Sequence, residues 1–235
     1  MTNLIDALLA ARRATRVAAA AAALTCLAAG TSAMATEAPV PDSHPDLARG
    51  WAAHEARDFR SAVQHYRRAA TQGHPLGQFN LAVMLVRGVG TPANSKEGLA
   101  WLQSAADAGL PRAQHALAAL HERGELVARS LDEATSWYRR AAEQGWRDAQ
   151  VSLATQYFLG RGAPRDDAKA AYWYERAAER GDPGASYIIA SMYEHGRGVL
   201  QDLERAARWY GRASVHGEVG AEVKAQEMLQ RFREQ

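Results

Sequence analysis

Cysteine is nearly absent from this chain of 235 residues, which contains only Cys26. That residue lies in an N-terminal segment that we expect to be removed. The mature chain then has no thiol and can form no disulfide, so its stability must come from the packing of helices against one another.

An excess of charge of either sign is also lacking. The whole chain has 28 Lys and Arg residues against 26 Asp and Glu residues. Residues 1–35 contain three of the arginines and one of the aspartates, so residues 36–235 carry 25 charges of each sign and no net charge. A nucleic-acid-binding surface needs a clustered excess of Lys and Arg. We therefore expect no nucleic-acid partner.

Catalytic and metal-binding motifs are missing as well. The eight histidines form no H-E-x-x-H sequence and show no metal-ligand spacing, and no S-x-x-K sequence is present. The acidic pairs Asp132-Glu133 and Asp166-Asp167 fall where helices are expected to begin, and there a negative charge favours the helix dipole. We predict no enzyme activity, no cofactor and no bound metal.

The chain has no apolar run typical of a membrane span, but a shorter one lies near the N-terminus. Three arginines precede it: Arg12, Arg13 and Arg16. The run itself is alanine-rich from Val17 to Gly30, and Ala33-Met34-Ala35 then offers the small-x-small pattern of signal peptidase cleavage. We predict a signal peptide over residues 1–35, a linker over 36–45, and a periplasmic or secreted protein without membrane attachment after cleavage. An uncleaved inner-membrane anchor, with the rest of the chain in the periplasm, is the alternative.

Repetition is what the chain has in abundance. Five glycines stand at intervals of 36 residues: Gly73, Gly109, Gly145, Gly181 and Gly217. Each closes a segment whose apolar positions have the i, i+4, i+7, i+8 spacing of an amphipathic helix. Its aromatic positions are Trp101, Trp137, Trp173 and Trp209, each followed by a tyrosine or leucine: Leu102, Tyr138, Tyr174 and Tyr210. The same second position holds Tyr66 in the first copy. We expect the tryptophans to lie in the core, with an indole edge left exposed in some of them.

A second periodic stretch precedes each of these helices from the second copy onward. Its shared apolar position is occupied by Leu81, Leu117, Leu153 and Ile189, each followed by an alanine. We call this stretch the first helix of a repeat and the glycine-closed segment the second helix. Prolines suited to the first turn begin three of the first helices: Pro75, Pro111 and Pro183. Short polar residues suited to N-caps precede the second helices: Asp58, Asn94, Ser130, Asp166 and Asp202.

The loop between the two helices carries a Gly-x-Gly pair in three copies, where positive φ allows a sharp turn. The pairs are Gly88 and Gly90, Gly160 and Gly162, and Gly196 and Gly198. Another copy keeps Gly124 but has Leu126 in place of the second glycine. We expect a locally different loop there.

These motifs resemble the Sel-one-like repeat (SLR), a relative of the tetratricopeptide repeat. The shared features are A-x-x-x-L-A near the start of the unit, Y-x-x-G-x-G in its middle and A-x-x-W-Y-x-x-A-A-x-x-G at its end. The resemblance implies an all-α fold, a right-handed α/α superhelix of about five helix-turn-helix repeats. The expected repeats are residues 46–73, 74–109, 110–145, 146–181 and 182–217. Residues 218–235 are expected to form a C-terminal capping helix.

The resemblance also implies a non-enzymatic scaffold of the bacterial envelope that binds a protein or peptide partner. The alternative is a module associated with carbohydrate or peptidoglycan, or a regulator of cell-wall or exopolysaccharide processes. More remotely, some SLR proteins are associated with β-lactam binding or hydrolysis. That group is cysteine-rich, and this chain is not.

In tetratricopeptide-like solenoids the first helices line a concave groove. Carrying that over by repeat position selects Phe79, Val83, Val86, Arg87, His115, Glu122, Arg123, Val151, Thr155, Phe158, Tyr187, Ser191, Glu194 and His195. The apolar members of this set suit an extended or helical peptide with aliphatic anchors. Alternatively, several of them pack between neighbouring first helices.

Overall fold

The fold is entirely helical in the part of the chain that can be described. A computed structural model of the protein describes residues 44–234, which form eleven α-helices and no β-strand. The predicted all-α fold class is confirmed. The predicted signal peptide and nearly all of the predicted linker lie outside the described residues. Among residues 44–234, no helix is both long and apolar enough to cross a bilayer.

The described helices fall into two compact units, divided after Ser130. The first unit contains α1 (Pro45–Glu55), α2 (Phe59–Thr71), α3 (Pro75–Arg87), α4 (Ser95–Asp107) and α5 (Pro111–Arg123). The second contains α6 (Leu131–Glu143), α7 (Arg147–Leu159), α8 (Asp167–Glu179), α9 (Pro183–His195), α10 (Leu203–Val215) and α11 (Ala221–Arg233). Within each unit the main packing is between helices that are consecutive in the chain. Packing between nearest neighbours is what a repeat array produces.

Helix boundaries follow the short-range signals of the sequence. Carboxylate or amide oxygens of four predicted N-caps accept from the backbone N–H three residues later, at 2.8 to 3.1 Å: Asp58, Asn94, Asp166 and Asp202. The three predicted prolines are the first residues of α3, α5 and α9. The five glycines of the 36-residue period have φ between 81° and 89°. Because an L side chain is strained at such φ values, glycine ends the second helix at little cost.

The second helices bury their tyrosines more completely than their tryptophans. Side chains of the tyrosine position are at most 2% exposed: Tyr66, Leu102, Tyr138, Tyr174 and Tyr210. By contrast, only Trp137 is buried among the tryptophans, and Trp101, Trp173 and Trp209 are partly exposed. Trp101 nevertheless packs against the buried core of the first unit, which agrees with a core position that leaves an indole edge exposed. One position along a helix turns a side chain by about 100°, enough to move it from the centre of a helix interface to its edge.

The second glycine of each Gly-x-Gly pair lies against the beginning of the preceding second helix. A Cβ on Gly90, Gly162 or Gly198 would come within 2.1 to 2.2 Å of a backbone oxygen there. Leu126 occupies the equivalent position with φ 61°, close to the 63° to 71° of the three glycines. The expected local difference is thus not found in the backbone, and Leu126 adopts a conformation that is strained for a side chain bearing a Cβ.

Candidate partner-binding surface

In the first unit, the candidate residues of α3 and α5 divide into buried and accessible members. Phe79 and Val83 are 4% and 1% exposed. The guanidinium of Arg112 on α5 lies 5.8 Å from the centre of the Phe79 ring, so α5 covers that side chain. The accessible members are partly exposed: Val86, Arg87, His115, Glu122 and Arg123. Packing between first helices, the alternative to a binding role, thus accounts for Phe79, and Val83 is buried as well.

Phe158 is likewise covered in the second unit, where it is 5% exposed. The guanidinium of Arg197 lies 4.0 Å from the centre of its ring. On its other side the Tyr174 ring lies edge-on at a centroid distance of 6.4 Å. Phe158 is therefore an interior side chain, whereas Val151 on the same helix is partly exposed.

The polar candidates of the second unit hydrogen-bond to buried tyrosines. The hydroxyls of Thr155 and Tyr174 share a hydrogen bond of 2.9 Å. Similarly, the Tyr210 hydroxyl donates to Glu194 Oε2 at 2.8 Å. A buried hydroxyl without a partner is costly, so Thr155 and Glu194 stabilise the packing of first on second helices. Burial, followed by the Glu194 hydrogen bond, raises the pKa of Tyr210 well above its usual range.

Glu194 also holds the C-terminal helix. Its carboxylate is 5% exposed, and Oε1 lies 3.3 Å from Arg231 Nη1 and 3.5 Å from Lys224 Nζ, both on α11. Burial lowers the pKa of Lys224, but hydrogen bonds to Glu227 and Glu194 and the charges of both carboxylates outweigh it and raise the pKa overall. Glu194 therefore joins α9, α10 and α11 and offers little surface to a partner.

The remaining candidates lie on α9. Ser191 is 5% exposed, and its backbone oxygen accepts a hydrogen bond from His195 Nδ1 at 2.8 Å. The His195 side chain itself is exposed. Tyr187 is partly exposed and meets the Tyr210 ring edge-on at 5.0 Å, and burial raises its pKa. Of this helix, Tyr187 and His195 remain accessible.

The accessible surface of the first helices is accordingly more polar than the sequence led us to expect. Three apolar members of the predicted trough are interior, namely Phe79, Val83 and Phe158. Which apolar residues are buried depends on the side chains of neighbouring helices and loops, and repeat position alone does not reveal those neighbours. Within residues 44–234, no three His, Cys, Asp or Glu side chains come together as metal ligands.

Two exposed features were missed from the sequence. Tyr172 on α8 is 50% exposed, packs edge-on against Trp173 at 5.0 Å, and has the Arg176 guanidinium 5.4 Å from its ring.

The other feature is a group of apolar side chains around α11. The sequence predicts a cap that covers the last repeat, yet of its apolar residues Met228 is fully buried while Val219 and Val223 are 94% and 68% exposed. Neither feature follows the repeat pattern, which is why the pattern did not predict it.

Comparison with known proteins assigns the repeats. The family model of the Sel1 repeat matches residues 53–74, 75–110, 111–146, 147–182 and 183–215. The chain is a Sel1 repeat protein. Sel1 repeat proteins generally mediate protein–protein interactions, and the family is generally non-catalytic.

Solved structures agree with this assignment. A Sel1 repeat protein from Oxalobacter formigenes is 34% identical over 79% of this chain, with a TM-score of 0.71. The protein c5321, a protective antigen of uropathogenic Escherichia coli strains with an SLR fold, is 31% identical over 78% of this chain, with a TM-score of 0.72. The chain spans 54% and 40% of the lengths of those two proteins. Comparison with curated proteins gives no significant match.

Proposed function

We propose that this Sel1 repeat protein is a non-enzymatic scaffold of the bacterial envelope that binds a partner protein or peptide through the exposed sides of its first helices. The observation that carries the proposal is the set of partly exposed side chains on two neighbouring first helices, α3 and α5: Val86, Arg87, His115, Glu122 and Arg123. The set combines an aliphatic contact with charges of both signs. Such a surface suits a peptide that carries one apolar anchor flanked by charged residues.

Site-specific photo-crosslinking in the native envelope tests this surface. A photoreactive residue placed at His115 or at Arg123 is expected to capture one and the same partner, identified by mass spectrometry. Matched controls place the residue at Gln64 or Ala100, which are exposed on the second helices α2 and α4. Capture of the same partner from all four positions, or from none, rules out the proposed surface.

We also propose export by the signal peptide predicted over residues 1–35. Cell fractionation and N-terminal sequencing of the purified protein test it, and the expected mature N-terminus is Thr36. A retained leader in the membrane fraction supports the signal-anchor alternative. A protein found in the cytoplasm with its leader intact contradicts both.

A carbohydrate- or peptidoglycan-associated role is the second candidate. The observation that favours it is the exposed Tyr172 beside Trp173 and Arg176, because sugar rings stack on exposed aromatic faces. Addition of peptidoglycan fragments is expected to raise the melting temperature of the wild type and not that of Tyr172→Ala. Leu200→Ala is the control, since Leu200 is also exposed and lies in the loop between α9 and α10. No shift with any glycan tested counts against this role.

A further inference from the structure

Exposed apolar side chains are concentrated at the C-terminal end of the described chain. Within residues 44–234, eight large hydrophobic residues are at least 41% exposed, and five of them belong to one stretch: Val215, Val219, Val223, Leu229 and Phe232. The outermost helix of a repeat array normally presents a polar surface to solvent. At this end of the chain, exposed apolar side chains stand among the polar ones, which is typical of an interaction site.

Helix α11 is equivalent to the first helix of a sixth repeat. A shift of one repeat, 36 residues, aligns Ala185 with Ala221, Met192 with Met228 and Tyr193 with Leu229 in the sequence. Ala221 and Met228 are fully buried, as expected for that position, but Leu229 is 41% exposed. Tyr193 is 4% exposed, and its hydroxyl accepts from Arg205 on α10, the second helix of the same repeat. Among the described residues no helix packs over Leu229 in the way that α10 packs over Tyr193.

The uncovered side of α11 carries charges in a definite order. Glu222, Gln226, Leu229 and Arg233 follow one another at spacings of four, three and four residues, which places them on one face of an α-helix. All four are exposed. Glu222 and Arg233 make no ion pair with another described residue. The face thus reads acid, amide, leucine, base from its N-terminal to its C-terminal end.

This order is complementary to itself when two helices run antiparallel. A twofold axis between residues 227 and 228 places Glu222 opposite Arg233 of the second copy and Gln226 opposite Leu229 of the second copy. The two Leu229 side chains are then about 4.5 Å apart along the helix axis, within contact distance. The exposed Val223 and Phe232 flank this contact on its two sides, because they lie on opposite sides of α11. A symmetric contact of this kind uses the same patch on both molecules.

We propose that the protein forms a symmetric homodimer in which α11 packs antiparallel against α11 of a second copy. The uncovered face is occupied by a second copy, because in the antiparallel arrangement Glu222 of each copy meets Arg233 of the other. One pair of helices buries a small area, so the dimer is weak, with a dissociation constant between about 10 µM and 1 mM. This association is independent of the surface proposed on α3 and α5.

Analytical ultracentrifugation of the full chain over a range of concentrations tests the dimer. The wild type is expected to show reversible monomer–dimer association. Glu222→Arg and Arg233→Glu each place like charges opposite one another and are expected to weaken association about tenfold or more. The double variant Glu222→Arg/Arg233→Glu restores opposite charges and is expected to recover dimerisation to within about threefold of the wild type. Leu229→Gln is expected to weaken it without change of secondary structure.

Leu200→Ser is the matched control, because Leu200 is 91% exposed and lies outside α11. Its association is expected to equal that of the wild type. A protein that stays monomeric up to about 1 mM overturns the proposal. So does association that the single charge reversals leave unchanged, which points to a contact elsewhere on the chain. Failure of the double variant to recover overturns the antiparallel arrangement.

Discussion

Substitution of Gly162 by alanine tests the contact between the α7–α8 loop, which contains Gly162, and the first turn of α6. Gly162 has φ 63°, and a Cβ there would lie 2.1 Å from the backbone oxygen of Leu131 and 2.5 Å from Thr135 Oγ1. Thr135 Oγ1 itself donates to that Leu131 oxygen at 2.9 Å. An alanine must therefore displace the first turn of α6. Gly181 is the matched control, because it has φ 81° and no atom within 4 Å of its Cβ position.

The two substitutions are expected to lower the free energy of unfolding by different amounts, because only Gly162 lies against another helix. Alanine at positive φ costs about 1–2 kcal/mol, and the lower entropy of the unfolded chain offsets about 0.4–1 kcal/mol of that. Gly181→Ala is therefore expected to lower the free energy of unfolding by about 1 kcal/mol. Gly162→Ala adds about 1–3 kcal/mol for the overpacked contact, for a total of about 2–4 kcal/mol.

Urea unfolding followed by far-UV circular dichroism measures both variants against the wild type. With a slope of about 2 kcal/mol/M, a difference of 2 kcal/mol between the variants separates their midpoints by about 1 M. Equal losses of stability in the two variants refute the reasoning, since they show that the contact with Leu131 contributes nothing beyond the backbone conformation.

Three further predictions concern strain, a buried charge and pH. Leu126→Gly relieves the strained φ of 61° and is expected to raise the free energy of unfolding, measured in urea, by up to about 1 kcal/mol. A lower free energy of unfolding shows that the Leu126 side chain makes a contact that outweighs the strain. Glu194→Gln removes the carboxylate that Arg231 and Lys224 face. It is expected to lower the free energy of unfolding by about 1–2 kcal/mol and to speed amide hydrogen exchange in α11, and unchanged exchange contradicts the role of Glu194 in holding that helix. Burial raises the pKa values of Tyr66 and Tyr210 above the unfolded value near 10, so their contribution to stability is fully present below pH 10 and is expected to fall as pH rises above it. A melting temperature of the wild type that stays constant up to pH 12 contradicts this pH dependence.

Local signals in the sequence predicted the helices well. Asp58 and Asp202 cap α2 and α10 as expected, and Pro75 and Pro183 begin α3 and α9. These features depend on residues three or four apart, whose interactions form within a single turn of helix. The candidate site was harder to predict because exposure depends on residues in the neighbouring helix.

Phe79 illustrates that limit. It shares its repeat position with His115, which is partly exposed, yet Phe79 is buried beneath Arg112 of the neighbouring first helix. Glu194 shares its position with Val86 and Phe158, but only Glu194 meets a tyrosine hydroxyl and two cations. A position in the repeat specifies the direction of a side chain. It does not specify what that side chain meets.

The sequence by itself therefore determined the helical repeat, its length, its capping residues and the glycines that end each second helix, because these follow from backbone conformation and short-range hydrogen bonds. Only the tertiary structure decided which candidate side chains remain accessible, why tyrosine is buried more deeply than tryptophan, and that α11 leaves Leu229 uncovered. Those outcomes depend on contacts between helices that are far apart in sequence, where the size and charge of each neighbour determine burial.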